Sequence, residues 1–117
     1  MEKRNELLEV TFDLALKAID YCELLESKRK YVIARQLLKA STSIGANSRE
    51  ALGAESRADF IHKLKIAYKE ARETEYWLAL CQHSSHYPTP TAELQNRINS
   101  AKRLLGKILS TAKRNQK

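Results

Sequence analysis

The chain has 117 residues, of which 43% are hydrophobic and 30% charged, with three Gly, two Pro and a net charge of +7. That length predicts one domain, residues 1–117, near the size at which self-association commonly adds stability, and the composition excludes both a disordered chain and a turn-rich all-β protein. No apolar run reaches the roughly 20 residues that cross a bilayer. Met1–Glu6 leads into an amphipathic stretch and not a signal-peptide core, so a cytoplasmic protein is expected. Cys22 and Cys81 lie far apart on apolar helical faces and read as buried thiols of a reducing compartment.

The first helix is expected over about 5–27. Leu8, Phe12, Ala15, Ile19 and Cys22 follow the 3-4 spacing of one face. Leu7, Leu14, Ala18, Tyr21 and Leu25 form a second stripe beside it, leaving a narrow polar strip of Glu6, Glu9, Asp13, Lys17 and Asp20. One core-facing stripe would satisfy a bundle, so the excess points to a partner surface.

The second helix is expected over about 30–54, with Ile33, Leu37, Ala40, Ile44 and Ala51 inward. Asn47 shares that stripe, Gln36, Ser43 and Glu50 run beside it, and Ser41, Gly45 and Ser48 make a ridge that admits a close backbone.

A third helix, about 57–84, starts at Ser56, a hydroxyl cap three residues before Asp59. Phe60, Leu64, Ala67, Ala71, Thr74, Leu78 and Cys81 form its long stripe; Ile66, Tyr76, Trp77 and Leu80 form a second patch, interleaved with Glu70 and Glu73.

The fourth helix, about 90–114, is expected to follow a Thr89 cap with Pro90 at its first position. Leu94, Ile98, Ala101, Leu105, Ile108 and Ala112 turn inward, while Arg103, Lys107 and Arg114, flanked by Lys102 and Lys113, turn outward. Residues 89–117 hold seven of the basic groups against Glu93 alone. Such a face either attracts polyanions or is simply solvated. Short links between long helices predict an antiparallel up-down four-helix bundle.

Chemistry is sparse. There is no phosphate-binding glycine loop, nucleophile elbow or HExxH helix, and Cys81-Gln-His83-Ser-Ser-His86 lacks the further ligand that a zinc site needs. Ser43, Asn47, Glu50, Glu70 and Glu73 beside the apolar stripes read as structural groups that bond between helices two and three, although a buried carboxylate pair doing acid–base work is the alternative. No catalytic residue, metal or cofactor is expected. Lys102, Arg103, Lys107, Lys113 and Arg114 are the candidate nucleic-acid contacts, with Tyr87 or Trp77 available to stack if exposed.

Gln36 to Asn47, followed by Glu50-Ala51, together with Asp59 to Leu64 and Lys69 to Leu78, resembles the bacterial four-helix bundle family named for proteins encoded in intervening sequences of large-subunit ribosomal RNA genes. The resemblance implies an antiparallel bundle that assembles into a ring-like pentamer. It places Ser43, Asn47, Glu50 and Glu73 at the family's polar positions. The chain is also similar to the accessory protein of diversity-generating retroelements, whose partners are a reverse transcriptase and nucleic acid. The expected function is therefore a non-enzymatic homo-oligomeric scaffold, with RNA or DNA bound through helix four. A protein-interaction module with no nucleic-acid role is the alternative.

Overall fold

A computed structural model describes residues 2–115; Met1, Gln116 and the basic Lys117 lie outside the described residues, as do the side chains of Glu2 and Lys3. Four helices and no strand occur among them: α1 (Glu2–Ser27), α2 (Tyr31–Leu52), α3 (Arg57–His83) and α4 (Ala92–Arg114). The body measures 49 × 21 × 19 Å, elongated along helices of which the longest, α3 with 27 residues, spans about 40 Å at 1.5 Å per residue.

Each helix packs against two others, α1 on α2 and α4, and α3 on α2 and α4, while no Cα of α1 comes within 8 Å of α3. Cross-helix contacts fix the register. Thr11 faces Gly45, Glu50 meets Lys63, Glu75 meets Lys102, and Asp13 meets Arg97. Further along α1, the Tyr21 hydroxyl donates to the carbonyl of Pro88. Partner numbers fall along α1, from Arg97 at Asp13 to Pro88 at Tyr21, and along α3, from Lys102 at Glu75 to Gln95 at Gln82.

The core takes the second of the two α1 stripes. Leu7, Leu14, Ala18, Tyr21 and Leu25 are buried with Leu37, Ile44, Leu64, Leu78, Leu94, Ile98 and Leu105. Phe12 stays 57% exposed, although Cys22 from its stripe is buried. The 3-4 spacing of that stripe repeats every seven residues, and on a straight helix such a repeat drifts by about 20° per heptad. The drift carries Cys22 inward and leaves Phe12 outside.

Helix ends follow local chemistry. Arg29 takes a left-handed φ of 63°, with Lys30 N–H donating to Leu25 O and Arg29 N–H to Glu26 O. This is the Schellman pattern with arginine where glycine is usual, and it delays α2 to Tyr31. Ser56 caps α3 as expected, its hydroxyl accepting from Asp59 N–H at 3.0 Å. The cap of α4 differs from expectation. Thr91, not Thr89, accepts from Leu94 N–H at 3.1 Å, because the extended backbone that an N-cap needs sits at Thr91. Pro90 is buried just ahead of it.

The small ridge of α2 is used within the chain. Ser41 and Ser48 are buried, and a Cβ on Gly45 would lie 3.4 Å from the Thr11 hydroxyl, so the ridge admits α1 closely. No described helix is long and apolar enough to cross a membrane.

Candidate assembly faces and nucleic-acid interface

Two outer surfaces carry apolar side chains. On α1, Phe12, Leu16 and Ile19 share one face by their i, i+4, i+7 spacing, and all three are exposed. Leu38 of the neighbouring α2 is exposed as well.

The second surface flanks the α2–α3 seam. Its α3 side is the heptad-spaced row Ile66, Glu70, Glu73, Trp77 and Leu80, which continues the face from which Lys63 reaches Glu50 at 2.8 Å. Its α2 side holds Val32, 72% exposed, with Gln36, Ser43 and Asn47 along the same spacing. Tyr76, 57% exposed, lies beside Trp77 with ring centroids 5.3 Å apart. The polar residues singled out from the sequence therefore belong to the same surface as the second apolar patch.

Their bonding corrects the expectation of a polar ladder between α2 and α3. Asn47 Nδ2 donates to Ser43 O at 2.9 Å within its own helix. Glu73 accepts from Trp77 Nε1 at 3.2 Å, again within one helix. Glu70 is half-buried and supplies its backbone carbonyl to Thr74. Only Glu50 reaches across, to Lys63, and that ion pair raises the lysine's pKa. Helical i, i+4 geometry brought these side chains within reach of their own turn first.

The basic residues of α4 divide between two faces. Arg103, Lys107 and Arg114 point outward and are exposed. Lys102 and Lys113 lie on the flank toward α3, where Lys102 is held by Glu75 at 2.9 Å. Arg97 is held by Asp13, whose carboxyl is lowered chiefly by the Arg97 hydrogen bond. Beside Gly106 an open depression of about 460 Å³ lies between α3 and α4, lined by Tyr68, Asn99, Arg103, Lys107 and Ser110 with the paired Glu75 and Lys102. It adjoins one of about 510 Å³ that adds Lys65, Leu109 and Lys113. Sequence reading missed Tyr68 and Lys65, although Lys65 and Lys69 with Arg72 sat in plain view as a second basic row on α3. Tyr87 is half-buried under the Lys30 ammonium at 5.1 Å, and Trp77 is engaged by Glu73; neither lies on this groove.

The thiols occupy the opposite interior. Burial pushes Cys22 up to about 12 and raises Cys81. Burial, with the neighbouring Cys81 thiol next, also raises Tyr21. His83 and His86 are exposed on the surface while Cys81 is buried, and no cluster of three metal-binding side chains occurs among the described residues.

The match to known proteins is decided over residues 3–107, which fit the family model described as 23S rRNA-intervening sequence protein. The chain belongs to that family. The matched span covers α1 to α3 and most of α4, ending at Lys107, so Lys113 and Arg114 lie beyond it. A solved crystal structure from the S23 ribosomal protein family of Bacteroides thetaiotaomicron VPI-5482, described as a protein of unknown function, is 39% identical. The likeness covers 92% of this chain and 98% of that one with a TM-score of 0.83. No curated protein matches.

Proposed function

We propose that this family member is a non-enzymatic, cytoplasmic scaffold: an antiparallel up-down bundle that assembles with copies of itself into a ring and uses α4 to hold nucleic acid. The opposite numbering of the cross-helix contacts supports the antiparallel arrangement. The observation that carries the assembly is the pair of unlike apolar surfaces, Phe12-Leu16-Ile19 with Leu38 on one side and Val32-Tyr76-Trp77-Leu80 on the other. Burying one such side chain yields about 2 kcal/mol. Four or five together reach about 8–10 kcal/mol gross, comparable with the cost of association. Two different patches on one chain favour head-to-tail contacts, which close into rings, over a two-fold dimer that would need one self-complementary patch. The family resemblance suggests five copies.

Replacing Phe12 by Glu tests the assembly, because Phe12 contributes little to the core. Light scattering should give the mass of one chain with helix content by circular dichroism unchanged. A mass and helix content both equal to the parent's would remove the α1 surface from the interface. The second reading is a module that docks an unlike protein through the same surfaces. The mixed polar and aromatic face at the α2–α3 seam also suits that reading, since aromatic residues are enriched at interfaces. A parent protein that is itself a single chain would favour it.

A further inference from the structure

The α3–α4 seam holds more than the outward cations of α4. Three cavities join end to end: one shares Tyr68, Gly106 and Ser110 with the next, which shares Lys65 and Lys113 with a third beside His62. They run past α4 from Asn99 to Lys113, about 21 Å at the helical rise. Four lining cations, Lys65, Arg103, Lys107 and Lys113, have no ion pair among the described residues. The one acid, Glu75, is already neutralised by Lys102.

Gly106 shapes the middle. It sits in a helix interior where glycine is costly, and a Cβ there would meet the Tyr68 ring at 4.0 Å. Without a side chain at 106 the half-buried ring stays open to the groove. The groove is an open furrow along the seam, where a flexible single strand can turn an unstacked base onto the Tyr68 ring, which the stacked bases of a duplex cannot do. The apolar assembly surfaces lie along α1–α2 and α2–α3, so self-association through them leaves this seam uncovered.

We infer that the α3–α4 groove is a single-strand nucleic-acid site, in which Lys65 and Lys113 on one flank and Arg103 and Lys107 on the other hold successive phosphates while Tyr68 offers a stacking surface beside Gly106. This rests on the nucleic-acid reading of α4 and adds an α3 half, a strand preference and an aromatic contact to it. Base stacking on an aromatic ring beside a cationic track is sequence-tolerant, so no base preference is expected.

The test is fluorescence anisotropy with a labelled 12-nucleotide oligouridylate and the full chain. Four phosphate contacts predict a slope of about −2.8 in log affinity against log salt, or about a 50-fold loss between 50 and 200 mM. Lys65→Ala should flatten that slope by about 0.7. Gly106→Leu, which fills the groove without changing charge, should weaken binding at least tenfold while the melting temperature holds or rises. Arg35→Ala, on exposed α2, is the control and should bind as the parent does. Parent protein that fails to bind at 50 mM salt defeats the nucleic-acid reading altogether. Salt-sensitive binding that both Lys65→Ala and Gly106→Leu leave untouched, or tighter binding of a duplex of equal length, defeats the groove alone.

Discussion

Individual side chains divide into those spent on holding the bundle and those left over. Asp13 is spent: it bridges α1 to Arg97 of α4 and also meets Lys17 at 3.4 Å. Its pKa is lowered, first by the Arg97 hydrogen bond, so the ionised form is favoured by folding. The stability it supplies is present above the ordinary carboxylate pKa and disappears as pH falls through its depressed value. Asp13→Asn should therefore cost about 0.5–1 kcal/mol at neutral pH, in the range of partly exposed ion pairs, and the difference from the parent should close on acidification. Thermal melts taken from neutral to acidic pH measure this; a difference independent of pH would assign the loss to packing. The thiols are also fixed by their surroundings. With Cys22 pushed up to about 12 and Cys81 raised, little thiolate forms near neutral pH. Because their helices have no Cα pair within 8 Å, a disulfide cannot close without moving backbone. A thiol-specific chromogenic reagent at mildly alkaline pH should react no faster than the protein unfolds. Rapid labelling of the folded chain would contradict the burial assigned to both.

At the scale of single helices, sequence was most readable where one residue type has one local job. Ser56 as the α3 cap could be read directly, because a hydroxyl three residues ahead of a first-turn carboxylate has few other uses. Thr89, Thr91 and Pro90 were ambiguous for the same reason in reverse: two hydroxyls bracket a proline, and only the backbone conformation at Thr91 chooses between them. Thr91→Ala should lower stability by about 1 kcal/mol and Thr89→Ala by much less, as denaturant titration of the two variants would show; equal losses would deny the assigned cap. Arg29 was illegible, since nothing in its side chain announces a left-handed φ. Replacing it with glycine should stabilise the protein by about 0.5–1 kcal/mol by relieving that conformation. A decrease in the denaturant midpoint would mean that the arginine side chain contributes something the turn geometry does not reveal. The polar residues of α2 and α3 show a further limit. Spacing put Asn47 on the inward stripe, whereas it is half-buried on the outer row with Ser43, and spacing could not distinguish a bond across the seam from a bond to the preceding turn.

For the whole molecule, the decisive feature was already present in α1, which has two apolar stripes where a bundle consumes one. Sequence alone could not say which stripe the core takes; packing against Leu37, Leu64 and Leu94 resolves that, and Phe12, Leu16 and Ile19 are what remains. The basic groove was half legible. Its α4 cations stood out as a charge run, whereas Lys65 and Tyr68 join them only once α3 and α4 are laid side by side around Gly106. Charge and grease thus separate by face, with the cationic seam at α3–α4 and the apolar surfaces around α2. On the proposed reading, that separation would let one small chain assemble and still present a site. The most direct test is the mass of the purified 13.4 kDa chain by light scattering across a dilution series at moderate salt. The scaffold account predicts a discrete multiple of that mass, persisting on dilution into the micromolar range. A stable species of one chain at every concentration would contradict it.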